Sequence, residues 1–128
     1  MSGHTIKNLR DVEDSAVKFG FSPDMEARFA REALGFEHHG LSLQGLAPGK
    51  RQPFAHRHGD DEEVYVVVEG SGRVLLGDEV AEVRQWDAIR VAPQTVRAFE
   101  GGPDGITYIA FGAHGIGDAE QVPASWPD

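Results

Sequence analysis

His56-Arg57-His58, followed after four residues by Glu63 at the head of the apolar run Val64-Tyr65-Val66-Val67-Val68, is the pattern in this chain best equipped to do chemistry. Side chains alternate across a strand, so positions 56 and 58 project from one face. Two imidazoles and one carboxylate offer borderline nitrogen donors and one compensating negative charge, the donor set of a divalent transition metal such as Fe, Mn, Zn or Ni. The chain has no cysteine, which excludes disulfides, thiolate ligands and a cysteine nucleophile and leaves nitrogen and oxygen to hold any metal. The plainer alternative is a hydrogen-bonded polar patch with no metal in it.

The elements that must position these residues are short strands separated by turn residues. Leu41-Ser42-Leu43-Gln44-Gly45-Leu46 alternates and is broken by Pro48-Gly49. Val64 to Val68 closes on Glu69-Gly70-Ser71-Gly72 and is followed by Arg73-Val74-Leu75-Leu76, the pattern of a hairpin. Gly77-Asp78 marks a second tight turn into Val80–Val83, and Asp87–Val91 starts a strand that stops at Pro93. A turn at Gly101-Gly102-Pro103-Asp104-Gly105 separates Arg97-Ala98-Phe99 from Ile106–Phe111 and predicts one more hairpin. The stretch 22–35 stays open: Met25, Phe29 and Ala33 with Gly35 as a stop suit a helix, while Met25, Ala27 and Phe29 also alternate as in a strand. The organisation expected is an N-terminal arm at 1–38, an all-β body at 39–112 and a Gly- and Pro-rich tail at 113–128.

Composition sets the outer limits. With 128 residues the chain is long enough for one compact core. Twelve Lys and Arg against 21 Asp and Glu leave a formal charge of -9, which repels phosphate backbones, so nucleic acid is not expected as a partner. The N-terminal residues carry no apolar signal region and no stretch reaches the length of a membrane span, so a cytoplasmic protein without a membrane partner is expected. Nucleophile elbow, phosphate loop and dinucleotide fingerprint are all missing.

The segment Gly49-(x6)-His56-x-His58-(x4)-Glu63-(x6)-Gly70 resembles the first motif of the cupin family, one residue longer in its first gap. Trp86-Asp87-Ala88-Ile89-Arg90-Val91-Ala92-Pro93-Gln94-Thr95-Val96-Arg97-Ala98-Phe99 is similar, more loosely, to the second motif, where the family often has Gly-Asp, a short strand, Pro-x-Gly-x-x-His and an aromatic. The resemblance runs from about Leu41 to Gly112 and implies a double-stranded β-helix, a jelly-roll barrel with its site in the mouth. It implies His56, His58 and Glu63 as metal ligands; Glu62 has the opposite parity. The family's last histidine ligand is replaced by Arg97, and Gln94 stands where the motif's glycine is common. A guanidinium is always protonated and donates only, so three of the four ligands remain. Arg97 is then either the anchor of an anionic ligand or the salt-bridge partner of Glu63.

The function expected is therefore binding of a small, anionic organic ligand in the barrel, with metal-dependent oxygenase or isomerase chemistry if the metal binds, or a metal-free binding or sensing module if Arg97 and Glu63 are paired. Arg97, Tyr65, Gln44 and Phe99 are the candidate ligand contacts; Gln52 is a further possible hydrogen-bonder. Tyr65, Phe99, Phe111 and Trp86 are expected in the core. His38-His39 is read as a surface pair that would reach the pocket only if the strand after it began earlier, His4 and His114 as exposed, and Asp60-Asp61-Glu62 as a solvated loop. The resemblance also suggests a homodimer.

Overall fold

The computed structural model describes residues 3–113 and 117–128, so the expectation for His114 lies outside the described residues. Eight strands form one curled antiparallel sheet: β1 (Met25–Phe29), β2 (His39–Leu46), β3 (Ala55–His58), β4 (Glu63–Leu76), β5 (Glu79–Arg84), β6 (Ala88–Val91), β7 (Arg97–Ala113) and β8 (Ala119–Val122). The order β1-β2-β7-β3-β8 forms one path through the sheet, and β4 joins it to β5 and β6 by pairing with β7. This is the all-β jelly-roll barrel that the two motifs imply.

The stretch 22–35 holds both of its possible elements in succession. Met25–Phe29 is a strand against β2, and Arg31–Leu34 is a single helical turn, α2, closed by Gly35 in the left-handed region at φ +71. Before it, the turn α1 (Ser15–Lys18) is capped by Asp14, whose Oδ1 accepts from the amides of both Ala16 and Ala27. An Arg10–Glu26 ion pair adds a second tie, so the segment before β1 lies on that strand, and the stretch expected as an arm at 1–38 contributes β1 to the sheet.

Two expected hairpins are absent, and this is the main correction to the sequence reading. β4 runs unbroken through Gly70-Ser71-Gly72, and β7 runs unbroken through 101–105. The two strands pair along their whole length, from Glu63↔Gly112 to Leu76↔Arg97, with register shifts between Val67 and Glu69 and between Gly70 and Gly72. The glycines are bends. Gly70 and Gly105 both sit at φ +76, and a Cβ on Gly70 would land on the Gly105 carbonyl oxygen, as one on Gly72 would land on that of Glu100. Side chains are excluded there because the backbones touch at the corner of the barrel. The turn at Gly77-Asp78, by contrast, is a true two-residue hairpin between β4 and β5.

Inside the barrel Tyr65, Phe99 and Tyr108 form an aromatic stack, with Phe99 and Tyr108 stacked at 4.1 Å and Tyr65 edge-on to Phe99 at 5.0 Å. Val67, Val74 and Val91 pack against it, with Leu46, Val83, Ile106 and Ala110 in the same core. The tail is not loose: β8 pairs with β3, and Val122, Ala124 and Trp126 cover Ala55, Leu75 and Ala98 on the outside of the sheet. Two expected core aromatics are not in the core. Phe111 lies on the outer face, and Trp86 is 70% exposed in the left-handed region at φ +75, at the position where the family often has glycine.

Candidate metal centre

Glu63 opens β4 and His56 and His58 lie on β3, and the curl of the sheet brings all three to the mouth of the barrel. His56 Nε2 and His58 Nε2 each stand 3.5 Å from Glu63 Oε1. One ligand atom from each residue falls within 4.8 Å of the others. The convergence expected from strand parity is therefore present, and Glu62 points away to an ion pair with Arg90.

The same carboxylate oxygen receives two further donors. Tyr65 donates its hydroxyl to Glu63 Oε1, and Arg97 Nη2 lies 3.3 Å from it. Arg97 is fully buried, with Nε donating to Tyr65 Oη at 3.2 Å and Nη1 to the carbonyls of Pro93 (2.9 Å) and Thr95 (2.8 Å). Its guanidinium thus serves the protein, pairing with Glu63 and fastening the loop before β7. Tyr65 has one proton and gives it to Glu63, so His56 Nε2, 3.3 Å from Tyr65 Oη, can bond to that oxygen only as a donor.

Burial pushes the Glu63 carboxyl up, but the neighbouring His56 and His58 imidazoles and the Tyr65 hydroxyl outweigh it and hold the group well below the ordinary value of 4.5. Burial and the neighbouring Glu63 charge raise the Tyr65 phenol well above 10.0. Glu63 is an anion and Tyr65 a neutral donor throughout the physiological range.

His58 carries the observation that bears on a metal. Both of its ring nitrogens are buried and lack a hydrogen bond, although carboxylate oxygens stand nearby, Glu63 Oε1 at 3.5 Å and Asp118 Oδ2 at 3.3 Å. Those distances and angles are too poor for a closed hydrogen bond. An orphaned buried imidazole nitrogen facing a second imidazole and a carboxylate fits a transition-metal donor set, so the residues present suit such an ion, with Arg97 in the place of a fourth ligand.

The other residues singled out by sequence fall elsewhere. Gln44 is buried, donating to Ser42 Oγ and accepting from Tyr108, and Phe99 is buried in the aromatic stack, so both belong to the packed interior and not to an open wall. Gln52 accepts from the Phe99 amide. β2 begins at His39, two residues before Leu41, yet His39 stays exposed against Phe111 and His38 is exposed beside Glu37. His4 is exposed. Asp118 was not anticipated. It follows a glycine in the tail, carries no local signal, and reaches His58 only through the pairing of β8 with β3.

A curled antiparallel sheet with two histidines and a glutamate at its mouth defines the class: a double-stranded β-helix with a candidate metal centre. The chain belongs to the cupin family, with residues 42–104 matching the family's cupin-domain model. Among solved structures it is similar to a cupin protein of Bacteroides fragilis (TM-score 0.73, 20% identity, 88% of this chain and 86% of that one). It is also similar to the polyketide cyclase RemF of Streptomyces resistomycificus (0.75, 20%, 94% and 87%) and to a cupin-superfamily sugar phosphate isomerase of Silicibacter pomeroyi (0.69, 16%, 87% and 76%). At these identities the likeness shows the fold. An uncharacterized protein of Methanocaldococcus jannaschii is 32% identical over 57 residues, and the match spans 44% of this chain and about half, 46%, of that relative. Among the described residues no helix is long and apolar enough to cross a membrane.

Proposed function

We propose that this cupin holds a divalent transition metal through His56, His58 and Glu63 and receives a small organic ligand at the mouth of the barrel. The observation that carries the reading is the convergence of His56 Nε2, His58 Nε2 and Glu63 Oε1, with the His58 nitrogens left unpaired in a buried place. When bound there, the ion supplies Lewis acidity towards a ligand oxygen. The chain's own residues do the rest. Arg97 and Tyr65 fix the Glu63 carboxylate in direction and keep it ionised, and the aromatic stack beneath closes the site to water from below. Because the Arg97 donors are already engaged, the role that best suits it is orienting Glu63, and an anionic ligand would meet the imidazoles first. The cyclase and the isomerase among the structural neighbours favour chemistry on a small organic substrate over a purely structural role.

A metal-free binding module is the second reading, favoured by the 3.3 Å Arg97–Glu63 contact, which already neutralises the carboxylate. The two separate by experiment. Protein purified without a histidine tag, stripped with chelator and exposed to Fe(II), Mn(II), Zn(II) or Ni(II) should rise in melting temperature with at least one ion, and His58→Ala should abolish that rise. No retained metal and no shift would leave the second reading. A homodimer belongs to the same proposal: Leu41, Val64 and Phe111 stand opposite one another on the outer face, continued by the Val66–Ile109 pair. Light scattering showing a monomer at micromolar concentration would overturn it.

A further inference from the structure

We infer that Asp118, delivered by the C-terminal strand, is a positioning residue that fixes the His58 imidazole with Nδ1 protonated and Nε2 turned to the site. Its readout in metal-free protein is independent of the proposed function; its readout by metal affinity rests on it. The Asp118 side chain is 13% exposed and its Oδ2 lies 3.3 Å from His58 Nδ1, on the side of the ring opposite Glu63. The carboxylate is itself held: Oδ1 accepts from the Asp60 amide at 3.0 Å, Oδ2 from the Asp61 amide at 3.1 Å, and the Asp118 carbonyl accepts from the Gly59 amide at 3.1 Å. Both carboxylate oxygens thus act as acceptors from backbone amides. A Cβ on Gly59 would stand 2.9 Å from Asp118 Oδ1, so this glycine leaves the carboxylate its place.

The His58 ring has a carboxylate on each side, but Asp118 Oδ2 is the nearer at 3.3 Å, while Glu63 Oε1, at 3.5 Å, already receives Tyr65 and Arg97, so the proton goes to the Asp118 side. The proton resides on Nδ1 and the lone pair of Nε2 points at His56 and Glu63. An outer carboxylate on a ligating histidine raises its basicity and holds its ring, and losing one typically costs about 10–100-fold in metal affinity. The 59–61 segment is accordingly not a free solvated loop: it is clipped to Asp118, and through it to β8, whose Ala119 pairs with His58.

Long-range 1H–15N spectra of the histidine rings in metal-free protein test the first arm. Wild type should show His58 as the Nδ1–H tautomer, and Asp118→Asn, which keeps one oxygen for the loop amides, should shift it towards Nε2–H or a mixture. Zn(II) titration tests the second arm, with Asp118→Asn expected about 10–100-fold weaker than wild type. Urea midpoints separate a folding defect from lost orientation, and Asp118→Glu should restore part of both readouts. An Nε2–H tautomer in wild type, or an unchanged tautomer in folded Asp118→Asn, overturns the inference. If wild type takes up no zinc, the proposed function fails on its own and the tautomer arm decides this one.

Discussion

Replacing Glu63 by Gln removes one charge from the site and keeps its shape, so the consequence can be worked from the contacts. Arg97 is fully buried and its Nη2 stands 3.3 Å from Glu63 Oε1. At that separation and an effective dielectric near 20 the direct attraction is about 5 kcal/mol. The guanidinium keeps its bonds to Pro93, Thr95 and Tyr65 in the variant, so its burial is partly compensated and the lower end of the range for breaking a buried pair applies, about 3 kcal/mol. For a chain of this size that lowers the melting temperature by about 12 °C and the urea midpoint by about 2 M. The assay is urea unfolding at neutral pH with chelator present, so that no metal enters the balance. In an Arg97→Met background the same Glu63→Gln change should cost less than about 1 kcal/mol, leaving a coupling of at least about 2 kcal/mol. A Glu63→Gln variant within 1 kcal/mol of wild type, or an equal cost in both backgrounds, would refute the view that Arg97 exists to be neutralised by this carboxylate.

The Glu63 carboxyl is held below its ordinary value of 4.5, so its contribution to stability is fully present above that pH and is lost as the solution is acidified below it. The wild-type urea midpoint should fall more steeply between pH 5 and pH 3 than that of Glu63→Gln, and parallel curves would contradict the assignment. Arg97→His should weaken the metal-free protein, because the carbonyls of Pro93 and Thr95 lose their donor. It should bind Zn(II) more than 10-fold tighter, with about 2.7 kcal/mol of stability returned at 100 times the dissociation constant; calorimetry showing equal or weaker binding counts against the three-ligand site. Trp86→Gly should stabilise by about 1 kcal/mol, since the tryptophan is exposed and held at φ +75, and a lowered melting temperature would mean that its ring makes contacts of value.

The site's first three residues were legible in the letters because strand parity and a short separation suffice to put His56, His58 and Glu63 together. Arg97 was legible as a substitution in a motif, and its two open roles were separated only by seeing where each of its nitrogens goes. Asp118 was not legible: it stands sixty positions after His58, and only the register of β8 against β3 joins them. The bends misled for a definite reason. Glycine supplies positive φ to turns and also room for touching backbones, and the letters Gly70-Ser71-Gly72 and Gly101-Gly102 do not say which need they meet. Residues 22–35 looked like helix and strand because each occupies part of the stretch.

One ladder, from Glu63↔Gly112 to Leu76↔Arg97, spans about 40 Å of extended chain, and yet its extremities, Glu63 and Arg97, are in contact. The proposed centre is therefore the buckle of a belt. How tightly it fastens depends on the curvature put in by glycines halfway round the loop, and mutations there would be expected to alter the spacing of the imidazoles and the carboxylate without touching any of them. Evolution, or an engineer, could tune the chemistry of this barrel from its back.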